Sequence, residues 1–261
     1  MFIIKLGGSV ITKKAQKAQF QKKIMDDLAT HIQRSHRRVI LVHGAGSFGH
    51  GYARDYSLHN GYHDEQQKTG FALTQRMVQQ LNSLVLTSLQ EKKLPAVSIP
   101  PHTAALLNDG KLSWFQHDIF DQYLSHGFLP VTYGDVALDK KNVFSICSGD
   151  LLMIALAERF KPEKVIFVLD EDGLYTANPK LDDQAAFIES INANGLDELE
   201  TTIDKHPDVT EGMAGKIQTI KKLAQLQVDT ILINGNHPER LYDVLMDKPT
   251  KQTIVHWRNK K

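Results

Sequence analysis

The feature that most constrains this chain is an uncharged, β-branched run that breaks at once into glycine. Val39-Ile40-Leu41-Val42 follows the basic pair Arg37-Arg38 and reads as a short buried strand. His43-Gly44-Ala45-Gly46-Ser47-Phe48-Gly49-His50 comes next, with three glycines in six residues. Glycine lets the backbone approach a ligand closely, with N–H groups turned inward around an anion. A histidine stands at each end, and His50, at the far lip, is the one placed to reach a bound anion. The same stretch also suits a plain strand-to-helix turn with two incidental histidines. A lone glycine-rich turn does not choose between them.

The pattern occurs first at the N-terminus. Phe2-Ile3-Ile4-Lys5-Leu6 reads as a strand that runs into Gly7-Gly8-Ser9. A lysine delivered just before a double glycine is a phosphate-site pattern: the glycines open the backbone and the lysine adds a point charge. It is not a Walker A loop, because the lysine precedes the glycines. Ile3, Ile4 and Leu6 suggest a strand buried on both faces, against an edge strand with Lys5 in water. Phe20, Ile24, Leu28 and Ile32 recur at helical spacing and predict a helix over about 16–35. Strand, helix, strand with short links is a βαβ unit with a right-handed crossover and a parallel sheet. Both glycine turns then lie at carboxyl ends of parallel strands, where open α/β sheets bind ligands.

The rest of the chain extends this alternation. Residues 51–65 are polar and turn-rich and predict a mobile lid; their histidines have no metal-ligand spacing. A long helix is predicted over 67–92, with Phe71, Leu73, Met77, Leu81, Leu84 and Leu89 mostly in the core and a part walling an apolar pocket. Further strands are predicted at 96–99, 129–133, 143–147, 164–169 and 230–233, with a short helix over 112–126 and a loop at Gly134-Asp135-Val136. Ser148-Gly149-Asp150 opens a helix to about Arg159, and Asp150 is either its N-cap or a functional carboxylate. Asp170-Glu171-Asp172 end a strand; such carboxylates bind ribose hydroxyls or a metal's water shell, or simply form turns. Residues 181–206 are polar and poorly periodic. Two glycines, Gly212 and Gly215, precede Lys216, after which a helix is predicted. A lysine in a first helical turn opposes the helix dipole and makes sense if a phosphate cancels its charge. The tail from Lys251 predicts an edge strand. There is no linker or repeat, so the two halves are expected to share one sheet.

Composition narrows the partners. The formal net charge is +1, so no global field argues for nucleic acid or an anionic membrane. A phosphate site must therefore be a local concentration of lysine and backbone N–H. The single cysteine, Cys147, excludes an intrachain disulfide, fits a reducing compartment and reads as a small core residue. No apolar run approaches the roughly 20 residues that span a bilayer, and no signal-peptide architecture opens the chain. The expected location is the cytoplasm.

Strand-end loops carrying Lys5, Lys216, glycine nests, His50 and Asp150 suit phosphoryl transfer, where catalysis is mostly positioning and electrostatics. Here the sequence resembles the amino acid kinase superfamily, through Lys5-Leu6-Gly7-Gly8-Ser9, the 43–50 stretch, Ser148-Gly149-Asp150, Asp172-Gly173-Leu174-Tyr175 and Gly212-Met213-Ala214-Gly215-Lys216. Within it the chain is most similar to the isopentenyl phosphate kinase family, through Gly8–Lys14, Gly46–His50, Tyr133–Val136 and Asn234–Arg240. The resemblance implies an α/β fold, a three-layer αβα sandwich around a mainly parallel open sheet. It implies one domain, with an acceptor-binding half over about 1–145 and a nucleotide-binding half over about 146–261, and a homodimer. ATP and Mg²⁺ would convert isopentenyl phosphate to isopentenyl diphosphate in isoprenoid precursor synthesis.

By matched position, His50 would bind the acceptor phosphate, with Gly44, Ala45, Gly49 and Gly149 cradling it. Lys5 would stabilise the transferring phosphoryl group and Lys14 would reach over the bridging region. Asp150 would hold Lys5 and Lys216, and Lys216 would hold ATP phosphates. Gly7, Gly8, Ser9, Gly46, Asp170, Tyr175, Gly212 and Gly215 would line the nucleotide side. No metal ligand is assigned. Phe71, Val131 and Ile146 are placed at the acceptor's tail by position only. Ala45 departs from the glycine usual there; if the position needs φ > 0, alanine costs about 1 kcal/mol. The rival readings are a phosphonate kinase of the same superfamily, favoured by a small polar acceptor pocket, and a non-catalytic nucleotide-binding scaffold.

Overall fold

The computed structural model describes residues 1–13, 16–177, 179, 182–204 and 211–258. The chain opens with β1 (Phe2–Leu6) and a single turn, α1 (Gly8–Ile11), and α2 (Lys22–Ser35) then crosses over to β2 (Val39–His43). Next come α3 (Gly46–Asp55), the long α4 (Gln66–Glu91), β3 (Ala96–Ser98), α5 (Pro101–Ala104) and the hairpin β4 (Ala105–Asn108) and β5 (Lys111–Phe115). The middle of the chain forms α6 (His117–Ser125), β6 (Leu129–Tyr133), β7 (Asp135–Asp139), β8 (Val143–Cys147), α7 (Gly149–Phe160) and β9 (Lys164–Leu169). It closes with β10 (Leu174–Tyr175), β11 (Phe187–Ile188), β12 (Ser190–Asn192), α8 (Ala193–Asp204), α9 (Glu211–Gln225), β13 (Asp229–Asn234), α10 (Glu239–Leu245) and β14 (Thr253–His256).

Eight strands form one sheet in the order β12-β14-β13-β9-β1-β2-β6-β3. Neighbours pair parallel except β13 with β14. The first strand lies near the centre, and the chain builds outward from it to one side through β2 and β6 and to the other through β9 and β13. That reversal is a topological switch point, the place where such sheets open a ligand crevice. Strand pleating sets the layers. Phe2, Ile4 and Leu6 of β1 face a core shared with α2, α4 and α10, while Ile3 faces one shared with α7 and α9. The result is the expected αβα sandwich, and strands of both halves share the sheet. A four-stranded sheet, β5-β4-β7-β8, stands beside it. Among the described residues no helix is long and apolar enough to cross a membrane.

Several local expectations are corrected. Helix α2 begins at Lys22, because Phe20 is bridged to Thr12 and the Gln21 amide is taken by the Ile11 carbonyl at 2.8 Å. Residues 51–65 are more structured than the polar, turn-rich loop the sequence predicts. Gly51–Asp55 finish α3, and the buried Gln67 amide donates to the Gly61 carbonyl at 2.9 Å and to the Tyr56 and Ser57 carbonyls at 3.2 Å. Such buried satisfaction of loop carbonyls fixes a corner. In α4 the buried stripe runs through Thr74, Val78, Leu81 and Val85, whereas Phe71, Leu73, Met77 and Leu84 are only partly buried. Residues 111–115 are strand before α6 starts, Asp135 begins β7 where a loop was predicted, and the 181–206 stretch contains α8. Gly212 and Gly215 lie inside α9 rather than before it, which puts Lys216 in its second turn. The tail strand β14 is inserted between β12 and β13 instead of lying at the edge.

Candidate active site

The carboxyl ends of β9, β1, β2 and β6 open into a cleft of about 850 Å³. Its floor is made by two glycine turns in backbone contact. A Cβ on Gly8 would lie 2.5 Å from the Gly46 nitrogen, and one on Gly44 would lie 2.7 Å from the Gly8 nitrogen. Neither turn tolerates a side chain there without the other moving. Gly46 also has φ +51°, in the left-handed region. Thr12, fully buried, joins the turns: its Oγ1 donates to the Gly8 carbonyl at 2.6 Å and accepts from the Ser47 amide at 2.9 Å. Ala45 has φ −69° and ψ −23°, ordinary helical values, so the alanine sits there without strain. The stretch read as a loop is therefore mostly the first turns of α3, with its N-terminal amides at the cleft. Helix α7 also presents its N-terminus, at Gly149 and Asp150. Helix N-termini are favourable places for anions.

The charges are arranged around this floor. Lys5 is buried, with Nζ 2.6 Å from Asp150 Oδ1 and 5.6 Å from the Phe167 ring centroid. The Lys5–Asp150 contact is an ion pair rather than a directed hydrogen bond. Ser148 caps α7, its Oγ accepting from the Leu151 amide at 3.2 Å. Asp150 is thus not the cap, which leaves its carboxylate to face Lys5. Ser9 Oγ donates to Asp170 Oδ1 at 2.9 Å on the opposite wall, where Gly7, Tyr175 and Lys216 also line the cleft. The His50 ring is open to the cleft, yet the walls strip enough solvent from it to hold its pKa below the usual imidazole range; the charges of Lys5 and Arg54 add to this. It is therefore a neutral ring at pH 7.

His43, at the other end of the stretch, is different. It is fully buried beneath the cleft and stacked on Tyr133 with ring centroids 5.1 Å apart. Burial lowers its pKa to about 4, against hydrogen bonds with Gly44 and Asn82. The ring contacts the Gly44 carbonyl from Nδ1 at 3.0 Å and Asn82 Oδ1 from Nε2 at 3.2 Å, while the Asn82 amide donates to Ser98 Oγ at 2.8 Å. His43 is structural.

One feature of the cleft escapes a reading by sequence alone, and a second is expected from it only in outline. Asp135 is buried at the start of β7, with His102 Nδ1 2.7 Å from its Oδ2 and the Val136 amide donating to Oδ1 at 2.8 Å. Burial raises its pKa and the His102 contact opposes the rise. The partners are 33 residues apart, so no local motif joins them. The second is an apolar wall of Ala53 from α3, Val78 from α4, Val136 from β7 and Ile146 from β8. Its signal was available in α4, where Thr74 and Val78 share a face one turn apart. Of the three tail positions read from the sequence, Ile146 lines the wall. Val131 is in the core between sheet and helices, and Phe71 packs on Phe144 at 5.4 Å, behind it.

Of the residues expected at the site, the structure brings together Lys5, Gly7, Gly8, Ser9, Gly44, Ala45, Gly46, Gly49, His50, Gly149, Asp150, Asp170, Tyr175 and Lys216 around the cleft. Gly215 is exposed on α9 and is not among the lining residues, and the surroundings of Gly212 lie outside what the structure describes. Lys14 lies outside the described residues. Asp172 faces away, held by Arg240 and Lys251 at 2.6 Å and by Asn234 at 3.0 Å, and so ties the loop after β9 to β13 and the tail. No three His, Cys, Asp or Glu side chains converge to hold a metal among the described residues.

With this geometry in place, known proteins give the context. The Amino acid kinase family profile matches residues 1–234. An isopentenyl phosphate kinase of Methanothermobacter thermautotrophicus is 37% identical, covering 98% of each chain. One from Thermoplasma acidophilum is 32% identical over 94% of this chain and 96% of its own. A crystal structure of isopentenyl phosphate kinase superposes with a TM-score of 0.87 at 34% identity, covering 98% of this chain and 99% of the other.

Proposed function

Because the chain belongs to the amino acid kinase family, and within it to the isopentenyl phosphate kinases, we infer that it transfers the γ-phosphoryl group of ATP to isopentenyl phosphate. The observation that carries the acceptor assignment is the apolar wall of Ala53, Val78, Val136 and Ile146 adjoining His50 and the α3 N-terminus. An anion cradle continuous with an apolar wall suits a phosphate ester with a hydrocarbon tail. A phosphonate kinase for a small polar acceptor has no use for that wall.

In this reading an oxygen of the acceptor phosphate attacks the γ-phosphorus, and the bond from that phosphorus to the β–γ bridging oxygen breaks. ADP leaves with the bond's electron pair. The attacking oxygen is already ionised near neutral pH, so no general base is needed, and His50 serves as a hydrogen-bond donor. Gly44, Ala45 and Gly49 let the acceptor approach the N-terminus of α3 closely, with Gly149 opposite; the Gly44 and Gly49 amides themselves donate to the Leu6 carbonyl at 3.0 Å and the Ala45 carbonyl at 3.1 Å. Lys5, oriented by Asp150, sits between the two substrates and neutralises charge on the transferring group, where positioned cations act most strongly. Lys216 reaches the nucleotide phosphates from α9, and Gly7, Gly8, Ser9, Gly46, Asp170 and Tyr175 form the nucleotide wall.

Mg²⁺ enters with ATP. Such an ion is usually held by substrate phosphates, water and one or two carboxylates. Asp170 and Glu171 are carboxylates on this wall and fit that role, and bound Mg²⁺ would neutralise phosphate charge. We place the acceptor over the N-terminal half and the nucleotide over the C-terminal half of a homodimer, as the family resemblance implies, and the protein in the cytoplasm. A coupled ADP-release assay tests the function with isopentenyl phosphate, dimethylallyl phosphate and fosfomycin. Turnover is expected on the two isoprenoid phosphates; its absence on both would sink the reading.

A further inference from the structure

Helix α3 carries a second polar residue toward the acceptor. Arg54 lies four residues after His50, one turn along the same helical face, and both line the cleft. Helical side chains lean toward the N-terminus of their helix. Arg54 therefore stands on the cleft side of α3, one turn beyond His50, with the ordinary helical lean toward the turn that carries His50. Its charge already bears on the His50 ring.

The charge balance on this side needs such a group. A phosphate monoester carries between one and two negative charges at pH 7. His50 and the backbone amides supply hydrogen bonds but no net charge. The Lys5 charge is matched by Asp150 at 2.6 Å. Lys17, at the mouth of the cleft, is matched by Asp55 at 2.8 Å and lies over the Tyr52 ring. That pairing also occupies Asp55, the carboxylate next to Arg54 in sequence. Among the described residues no carboxylate is paired with the exposed Arg54.

We propose that Arg54 is an acceptor-binding residue, a guanidinium that supplies the counter-charge for the phosphate held by His50 and the α3 N-terminus. A guanidinium offers two parallel N–H donors to a phosphate, a fork that lysine lacks. It stands on α3, on the acceptor's side of the transfer rather than on the nucleotide wall. It therefore sets acceptor affinity and leaves nucleotide affinity alone. The inference rests on the acceptor assignment above.

The test is steady-state kinetics on the full chain, with isopentenyl phosphate varied at saturating ATP and repeated at low and high potassium chloride. Arg54→Ala is expected to raise KM for isopentenyl phosphate about tenfold or more, the scale of losing a charge-assisted hydrogen bond. KM for ATP stays within about twofold, and Arg54→Lys recovers part of the loss. The wild-type acceptor KM rises with salt, and Arg54→Ala flattens that rise. An unchanged acceptor KM, or equal increases for both substrates, overturns the proposal. Should the wild type not turn over isopentenyl phosphate, the functional reading fails, and calorimetric titration with inorganic phosphate decides on Arg54. Tighter binding by wild type than by Arg54→Ala then supports it, and equal or absent binding overturns it.

Discussion

His50 is useful to this site because it stays neutral. A protonated ring would add charge beside Lys5 and Arg54, and their repulsion, after the loss of solvent, is what holds its pKa low. A neutral imidazole still offers one N–H, which is all an ionised acceptor requires. His50→Ala is predicted to lower kcat/KM for isopentenyl phosphate about a hundredfold, as for loss of one donor to a developing charge, while calorimetry finds ATP binding within about twofold of wild type. Near-normal kcat/KM in the variant would remove His50 from this role. Lys5, His50 and Asp150 could be read from the sequence because each combines a chemically distinctive side chain with a strand-end glycine turn. The role of Ala45 could not, because a backbone torsion is not written in a residue's type. Asp135 and His102 were hidden for another reason: only the fold brings residues 33 positions apart to 2.7 Å.

At the scale of elements, the cleft depends on two turns held backbone to backbone, and Thr12 is the side chain that joins them. Thr12→Val keeps the volume but leaves the Ser47 amide without its buried partner, while the Gly8 carbonyl keeps only the Thr12 backbone amide at 2.9 Å. The predicted cost is roughly 2 kcal/mol, read as a lower urea midpoint, together with higher KM for both substrates. A variant with an unchanged midpoint would show that the turns do not need this link. The apolar strands β1, β2, β6 and β9 were legible because continuous β-branched or aliphatic runs have few other uses. Helix α3 was not, since Gly46, Gly49 and Gly51 lie within it against their low helix propensity and survive there through packing. Strand β5 was missed because most of its side chains are exposed or only partly buried, which erases the two-residue alternation.

At the scale of the molecule, the central position of β1 puts Lys5 between the β9–β13 side and the β2–β6 side of the sheet. It also puts a buried histidine next to that strand, since His43 is paired with Leu6 in the sheet. Its pKa is about 4 in the fold, against 6.5 for a free imidazole. The neutral ring's contribution is thus complete above pH 6.5 and is lost as pH falls toward 4, about 3 kcal/mol across that window. Asp139, held low against burial by the Asn142 and Gly110 amides, loses its contribution only further down, below the ordinary carboxylate range. Asp135, with its pKa raised by burial, works in the opposite sense and favours the fold on acidification. Urea midpoints between pH 7 and 4.5 are expected to fall, and to fall less steeply in His43→Asn; identical slopes would contradict the assignment. The central claim, phosphoryl transfer onto a phosphate that already carries a hydrocarbon tail, is tested most directly by ³¹P NMR of the protein with ATP, Mg²⁺ and isopentenyl phosphate. The account predicts that the monoester resonance is replaced by two coupled diphosphate resonances at the rate ADP forms. ADP appearing with inorganic phosphate, while the monoester resonance stays unchanged, would contradict it.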